Sequence, residues 1–409
     1  MRGPGVCRCP RGLTAALLLL AALAPSACGG AHISSSPSPR AAVSSAPGIS
    51  GEGHGPVWTF QTGAPVRSTP AVAAEAVYVS SDDGNLYALD RATGHERWRL
   101  DIGRAVDWRS SRQPPSSPAV AGGVVYAGGN DGRLRAVDAT TGRPLWELRT
   151  GAAIHSSPVV AGGLVYVGSD DGHLYAVDRT DGSVRWRFKP VVVLDCDTPM
   201  LWRPSPAEVR ALPGEKVSSS PVVAGRSVFA TDALGVVHAL ARDTGRWRWS
   251  YETGGLGSPA AAAGIVYHQS CALDAASGER LWCLGEGADP SSGVVDAPAI
   301  TGGSAFYVGM TGRVDQAILV AVDARNGRLL WTFTTPGRVT DGMSVWFSPA
   351  TAAGVVYFAS HDGRLYAIDG RTGREQWSFR PAEPVSGTPA AAHGVVYFGS
   401  YDGRLYAVK

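Results

Sequence analysis

Residues 156–188, SSPVVAGGLVYVGSDDGHLYAVDRTDGSVRWRF, contain every part of a motif that recurs along this chain of 409 residues. The motif runs from a proline through three short apolar runs to a Thr-Gly type of turn and a final tryptophan. Its proline recurs as Pro70, Pro118, Pro158, Pro221, Pro259, Pro298, Pro349 and Pro389. Its tryptophan, always four residues after a glycine, recurs as Trp98, Trp146, Trp186, Trp249, Trp282, Trp331 and Trp377. A period near 40 residues with four short strands per repeat is typical of β-propeller blades.

The turn residues predict how the strands of each repeat are connected. Asp-Gly pairs, in which glycine supplies the positive φ of a tight hairpin, are Asp83-Gly84, Asp131-Gly132, Asp171-Gly172, Asp362-Gly363 and Asp402-Gly403. The aspartates that open the following turn are Asp90, Asp138, Asp178, Asp274, Asp323 and Asp369. We expect their carboxylates to accept backbone N–H bonds rather than to bind a metal.

The two ends of the repeat region complete each other. The last repeat stops at Lys409 without a tryptophan strand, whereas Trp58-Thr59-Phe60 precedes the first proline without a hairpin of its own. The sequence therefore predicts an all-β fold over residues 56–409, an eight-bladed propeller of four-stranded antiparallel blades. The N-terminal strand would complete the last blade and close the ring. Trp58 and the seven recurring tryptophans are predicted to dock each blade on its neighbour.

The spacing Ala88-x-Asp90, Gly94 and Trp98 resembles the tryptophan-docking motif of pyrroloquinoline-quinone-like (PQQ-like) propeller repeats, and the resemblance extends over residues 56–409. Two functional branches share that repeat. Quinoprotein alcohol dehydrogenases hold the quinone and Ca²⁺, and the lipoprotein subunit of the outer-membrane β-barrel assembly machinery binds protein partners. The resemblance implies the fold strongly and leaves both functions open.

The N-terminus has the pattern of an export signal. Three arginines precede an apolar run, Leu13 to Ala24, and small residues lead to Cys28. We expect residues 1–27 to be a signal peptide, Cys28 to carry a lipid anchor, and the Ser/Pro/Gly/Ala-rich residues 28–55 to form a flexible tether. Ordinary signal cleavage, which would give a free secreted protein, is the alternative. Either way the protein is predicted to be extracytoplasmic.

The charge balance limits the range of partners. The 37 basic residues nearly cancel the 35 acidic ones, so nucleic acid is not an expected partner. We expect a monomer that reaches the membrane through its lipid anchor only, with an envelope protein or polymer as partner.

Three cysteines fall within the repeat region. In the hairpin centred on Ala276-Ser277, Cys271 and Cys283 lie nearly opposite each other, so a cross-strand disulfide is the predicted pairing. Cys196, in a long insertion, could instead pair with either of them.

Three insertions, at about 101–115, 189–217 and 334–347, are predicted to lie at one end of the ring, because each follows a tryptophan strand. Aromatic and arginine side chains on loops of a rigid ring are a plausible binding patch. The predicted binding residues are Trp108, Arg109, Trp202, Arg203 and Trp346. The alternative is that these tryptophans only pack the loops against the blades.

No catalytic set is visible in the sequence. The nine histidines are scattered without metal-ligand spacing, and there is no Gly-x-Ser-x-Gly motif or phosphate-binding glycine loop. The adjacent cysteine pair common in the quinoprotein branch is also missing. We therefore expect a non-catalytic envelope scaffold without metal or cofactor, with a PQQ- and calcium-dependent dehydrogenase as the alternative. Binding of a small ligand in the channel cannot be separated from the scaffold role by sequence.

Overall fold

The computed structural model describes residues 55–103, 113–190, 216–255, 257–284, 298–310, 317–335, 348–360 and 362–409. Within these ranges the chain is all β, and none of them contains a helix long and apolar enough to cross a bilayer. Several residues predicted to be functional lie outside the described ranges: Cys28, Trp108, Arg109, Cys196, Trp202, Arg203 and Trp346.

In the described part of the chain, thirty-two strands form eight four-stranded antiparallel sheets, numbered here as blades 1–8. Blades 1 and 2 are β2–β5 (Ala71–Val72, Ala76–Ser80, Asn85–Asp90, Glu96–Asp101) and β6–β9 (Ala119–Ala121, Val124–Gly128, Arg133–Asp138, Pro144–Arg149). Blades 3 and 4 are β10–β13 (Val159–Ala161, Leu164–Gly168, Leu174–Asp178, Val184–Phe188) and β14–β17 (Val222–Ala224, Ser227–Thr231, Val236–Ala241, Trp247–Glu252).

Blades 5 and 6 are β18–β21 (Ala260–Ala262, Ile265–His268, Cys271–Asp274, Arg280–Cys283) and β22–β25 (Ala299–Thr301, Ser304–Met310, Ala317–Asp323, Leu329–Thr334). Blade 7 is β26–β29 (Ala350–Ala352, Val355–Ala359, Leu365–Asp369, Glu375–Phe379). Blade 8 combines β30–β32 (Ala390–Ala392, Val395–Gly399, Arg404–Val408) with β1 (Pro56–Gln61).

The closing strand pairs as the sequence predicts. β1 lies antiparallel to β32, with Trp58 opposite Ala407 and Phe60 opposite Leu405. The predicted fold, an eight-bladed propeller closed by the N-terminal strand, is confirmed.

The first strands of neighbouring blades contact one another around the whole ring, including β30 with β2. The second and third strands are almost entirely buried, as the apolar runs on both of their faces indicate. The buried side chains form eight clusters, each shared by two adjacent blades. The core is therefore a circle of layers between blades.

Strand direction alternates within each blade, so the two ends of the ring differ. Hairpins between second and third strands, and the connections to the next blade, lie at one end, which we call the Asp-Gly face. Backbone bonds join these two kinds of segment there, for example from Ile102 N to Gly84 O at 2.8 Å. The other hairpins lie at the opposite face.

Each outer strand carries a tryptophan that docks on the next blade. Trp98 Nε1 donates to the Ala139 carbonyl at 3.1 Å, and the indole covers Gly142 so closely that an added Cβ would lie 2.7 Å from the ring. A bulge directly before Trp98 directs the side chain toward blade 2. The same contact with a glycine of the next blade recurs at Trp58, Trp146, Trp186, Trp249, Trp282 and Trp331. Trp377 packs on the cluster between blades 7 and 8, where the two chain ends replace a glycine turn.

The turn chemistry explains why the strands end where they do. Gly84 and Gly172 have φ values of 90° and 86°, in the left-handed region that favours glycine. Asp90 Oδ1 accepts the backbone N–H groups of Ala92 and Thr93 at 3.1 and 3.0 Å. These aspartates cap turns through backbone bonds, which accounts for their recurrence without any metal.

Candidate binding face

The Asp-Gly hairpins are locked to the connections between blades. Asp83 Oδ2 accepts the Tyr87 hydroxyl at 2.6 Å and the backbone N–H of Gly63, in the connection from blade 8, at 2.8 Å. In blade 3, Asp171 accepts the Tyr175 hydroxyl and the backbone N–H of Gly151 in the same way, both at 2.7 Å. One carboxylate thus fixes a hairpin and a connection together, which gives this face a rigid base.

The tyrosines of these pairs remain hydrogen-bond donors over the physiological range. Burial, followed by the neighbouring Asp402 carboxylate, raises the pKa of Tyr406 to about 12. Its hydroxyl donates to Asp402 Oδ2 at 2.6 Å. Because the proton is held, these groups are positioned for structural support rather than for acid–base chemistry.

Blade 4 departs from the Asp/Tyr pattern. Leu234 stands where five other hairpins have the aspartate of an Asp-Gly pair, and His238 stands in place of the tyrosine. His238 Nε2 lies 3.0 Å from Asp232 Oδ2, and the other ring nitrogen lies 2.8 Å from Ser250 Oγ. Burial alone would raise the pKa of Asp232, but His238 and two backbone N–H groups lower it below its ordinary value. The hairpin of blade 4 is therefore held by an Asp232–His238 hydrogen bond in place of the Asp–Tyr hydrogen bond of blades 1, 3, 7 and 8.

A buried ion pair supports the seam between blades 8 and 1. Arg67 Nε and a second guanidinium nitrogen donate to the two carboxylate oxygens of Asp82 at 2.6 and 3.0 Å. Both side chains are almost fully buried. Burial raises the pKa of Asp82 despite the lowering effect of Arg67, so the desolvation cost exceeds the effect of the pairing.

A second charged group lies where residues 191–215 rejoin the described chain. Lys216 Nζ lies 2.8 Å from Asp170 Oδ2, and His155 Nδ1 lies 3.2 Å from the same oxygen. The backbone N–H of Ala233 donates to the Lys216 carbonyl at 3.0 Å. The end of the longest connection is thus fixed between blades 3 and 4.

Four connections on this face are long: residues 102–118, 189–221, 284–298 and 335–349, compared with 62–70 and 150–158 elsewhere. Three of them were predicted from the sequence, and 284–298 was not. Its extra length could have been recognised from the distance between Trp282 and Pro298 in the sequence. The five predicted binding residues belong to three of these connections and lie in their undescribed parts.

The described residues do not provide a metal centre. Among them, no group of three or more histidine, cysteine, aspartate or glutamate side chains is arranged to hold an ion. The Ca²⁺ that accompanies the quinone in the dehydrogenase branch needs several oxygen ligands. The described part of the chain therefore offers no cluster of three or more carboxylates around such an ion.

In blade 5, Cys271 and Cys283 occupy paired positions of β20 and β21 and form a disulfide, with Cα atoms 4.0 Å apart. β21 is a short outer strand of four residues, so the disulfide fastens a strand with few ladder bonds.

The double substitution Cys271→Ser and Cys283→Ser should lower the free energy of unfolding by about 2–3 kcal/mol, because the disulfide restricts the unfolded chain. Urea unfolding followed by tryptophan fluorescence measures the change. Cys196→Ser is the control and should leave stability unchanged. A comparable loss for Cys196→Ser would favour the alternative pairing.

His268 is fully buried at the end of β19, next to the hairpin that leads to Cys271. Its Nε2–H donates to the Gly257 carbonyl at 3.1 Å, and Nδ1 lies 2.6 Å from the Thr253 hydroxyl. Burial lowers the pKa of the ring to about 4. The imidazole is therefore neutral in the folded protein near pH 7.

This histidine should make stability fall in acid. The unfolded ring titrates near its ordinary value of 6.5, so the unfolded chain binds an extra proton between pH 6.5 and about 4. The contribution is complete above pH 6.5 and is lost as the pH falls to 4, to a total of about 3 kcal/mol. In the His268→Gln protein this loss of stability in acid should be absent. Urea unfolding of both proteins at pH 7.0, 5.5 and 4.5 measures the difference. Parallel pH profiles for the two proteins would contradict the prediction.

The ring of blades, the recurring glycine–tryptophan contact and the Asp-capped turns define a propeller of the PQQ-like repeat class. The family model described as "Outer membrane protein assembly factor BamB" matches residues 48–114, 103–195 and 189–409, and the chain belongs to this family.

Individual relatives come from both functional branches. The assembly factor BamB of Yersinia pestis is 29% identical over 174 residues, which is 39% of this chain and 43% of the relative. A dehydrogenase subunit of a quinone alcohol dehydrogenase from Gluconacetobacter polyoxogenes is 35% identical over 79 residues, which is 17% of this chain. The match spans only 10% of that dehydrogenase's length.

The crystal structure of BamB from Moraxella catarrhalis has the same fold. The two structures superpose with a TM-score of 0.62 at 17% identity, over 87% of this chain and 97% of the other. At this identity the likeness concerns the fold alone.

Proposed function

We propose that the protein is a non-catalytic scaffold of the cell envelope that binds a protein or polymer partner on its Asp-Gly face. The observation that carries this proposal is the grouping of all four long connections at one end of a rigid ring. Their bases are fixed by bonds such as Asn130 Nδ2 to Gly103 O and Lys216 Nζ to Asp170. Membership of the BamB family supports a role in assembling other proteins.

Within this face we assign partner contact to Trp108, Arg109, Trp202, Arg203 and Trp346. Tryptophan and arginine are the side chains that most often dominate binding energy, and loops on a rigid ring present them at little entropic cost. A binding role requires that they be accessible from outside the ring, which sets the test.

Photo-crosslinking in cells tests the proposed face. A photoreactive phenylalanine analogue at position 108, 202 or 346 should give a discrete adduct with an envelope component. The same analogue at His393, an exposed residue of the opposite face, is the control and should not. The adduct at position 108 should weaken several-fold when Trp202 and Arg203 are both replaced by alanine. Equal adducts from position 393, or none from the three loops, would refute the proposal.

Attachment to the membrane through Cys28 is part of the proposal. Residues 1–27 would be removed as the signal, and residues 28–55 would tether the propeller with a reach of roughly 30 Å. Cys28→Ala should abolish labelling by radioactive palmitate and allow high salt to extract the protein from the membrane fraction. Cys9→Ala, in the signal segment, should leave labelling intact. Labelling that survives Cys28→Ala would exclude this anchor.

A PQQ-dependent dehydrogenase is the second candidate, favoured by the local similarity to a quinone alcohol dehydrogenase subunit. The described residues contain no cluster of three or more carboxylate, histidine or cysteine side chains for its Ca²⁺, and no residue is assigned a catalytic step. A melting shift with quinone and Ca²⁺, together with dye reduction by alcohols, would establish this function and displace the scaffold.

A further inference from the structure

The outer rim carries a set of exposed apolar side chains, which we call the rim belt. Its members are 36–55% exposed and are Val57, Leu145, Val184, Trp247, Leu281, Leu329 and Leu330. Large apolar side chains are rarely left this exposed in a group without a purpose. Among the described residues one other large apolar side chain is comparably exposed, Leu234, which lies on the Asp-Gly face.

All members of the rim belt lie at the same height on the ring. Each stands one or two residues before a docking tryptophan, at the start of an outer strand and beside the opposite face. The belt runs through blades 2–6 without a gap and includes blade 8 through Val57. A flat surface below the ring could touch every member at once, whereas a globular partner would reach only a few adjacent blades.

Positive charge accompanies the belt in blades 2–6. Within two residues of its members lie Arg143, Arg185, Arg246, Arg248, Arg280 and Arg328, against the two acidic residues Glu147 and Glu279. Glu147 is paired with Arg133 at 2.7 Å and Arg185 with Asp178 at 2.8 Å. The turn aspartates Asp138, Asp274 and Asp323 lie in the preceding hairpins, so the excess of positive charge beside the belt is small. Arginine next to tryptophan and leucine on one rim is the composition of surfaces that lie in the headgroup region of anionic bilayers.

The chain N-terminal to the propeller joins the ring at this rim. β1 begins at Pro56, directly before Val57 of the belt. The preceding segment contains the apolar run Leu13 to Ala24 and the predicted anchor Cys28. The segment that would carry the anchor therefore enters the ring at the rim belt and not at the Asp-Gly face.

We propose that the rim belt docks onto the surface of an anionic lipid bilayer, with the opposite face toward the lipid and the Asp-Gly face turned away from it. This contact between the rim belt and the bilayer adds to the lipid anchor, which is the sole membrane attachment predicted from the sequence. The proposal rests on the envelope location proposed above, but it does not depend on which partner binds the loops.

Vesicle sedimentation tests the belt without the acyl chain. The exported protein carrying Cys28→Ala should sediment with vesicles of 30% phosphatidylglycerol in phosphatidylcholine and not with phosphatidylcholine alone. Adding Leu281→Ser, Leu329→Ser and Leu330→Ser should weaken binding about tenfold, since three exposed apolar side chains are lost from the contact. Binding should also fall as NaCl is raised.

Leu234→Ser is the matched control, because it removes an equally exposed leucine from the other end of the ring. It should leave vesicle binding unchanged, and equal melting temperatures would show that all variants are folded. The proposal is overturned if the Cys28→Ala protein ignores anionic vesicles, or if the triple substitution leaves binding intact. It is also overturned if no form of the protein binds vesicles and the belt substitutions instead abolish a crosslink to another protein. No protein partner is present in the vesicle assay, so a failure to bind vesicles does not contradict the scaffold function. A failure to find a crosslinked partner likewise does not contradict docking of the rim belt on a bilayer.

Discussion

Trp58→Ala should lower the free energy of unfolding by about 3–5 kcal/mol and the melting temperature by about 5 °C. The indole is nearly buried and donates from Nε1 to the Arg91 carbonyl at 3.0 Å. It also covers Gly94 of blade 1 and packs 5.8 Å from the Tyr397 ring. The substitution therefore opens a cavity where the N-terminal strand holds blade 8 against blade 1. Thermal and urea unfolding followed by circular dichroism measure both quantities.

Trp247→Ala is the matched control for this substitution. Trp247 also lies in an outer strand, two residues before the docking Trp249, but it is 36% exposed. Its loss should cost less than about 1 kcal/mol, because little apolar surface is withdrawn from the core. If the two substitutions cost the same, or if deleting residues 56–61 leaves the melting temperature and hydrodynamic radius unchanged, the ring is not closed by this strand.

Gly142→Ala should lower the free energy of unfolding by about 3 kcal/mol. The residue has a φ of 70°, and an added Cβ would lie 2.7 Å from the Trp98 ring of the neighbouring blade. Left-handed backbone strain accounts for about 1 kcal/mol of the expected cost. The remainder comes from forcing the indole out of its seat between blades 1 and 2.

Gly123→Ala separates these two contributions. Gly123 lies in the same blade with a φ of 77°, but nothing lies within 4 Å of its added Cβ. It should therefore show the backbone cost alone, about 1 kcal/mol. In a Trp98→Ala background, the loss of unfolding free energy caused by Gly142→Ala should fall to a similar value, because the clashing ring is gone. Equal costs at both glycines in the native background would mean that the docking contact is not tight.

The blades could be predicted from the sequence because each repeat specifies its own turns. Asp-Gly pairs demand hairpins, and the glycine four residues before each tryptophan leaves room for the indole of the preceding blade. The closing strand could be predicted for the same reason, since Trp58 stands alone before the first proline. The Asp-Gly pairs recur five times and the glycine–tryptophan spacing seven times, so each blade could be predicted from local sequence, and only the closing strand required a long-range pairing.

The rim belt could not be read in the same way. Leu329 and Leu330 precede Trp331 and have the composition of a buried strand, yet they are 55% and 40% exposed. The bulge between third and fourth strands changes the alternation at this point, and hydrophobicity does not reveal a bulge. The His268 contact was missed because apolar residues, such as Val79, Ala127 and Val167, occupy that position in the other blades. The repeat motif does not identify the partner, because it determines the ring, whereas binding depends on the loops between blades.

The pairing of Pro56 with Val408 has a consequence for how the chain matures. Synthesis proceeds from the N-terminus, so the first strand to emerge is the last to find its partner. Until the final residues arrive, one β-strand and the flank of blade 1 stay uncovered, and such surfaces are prone to aggregate. A transcript cut short by a handful of codons would yield a nearly complete chain with no way to shut the ring. Chaperones and proteases would thus meet an open chain whose lifetime is set by the arrival of its C-terminal strand.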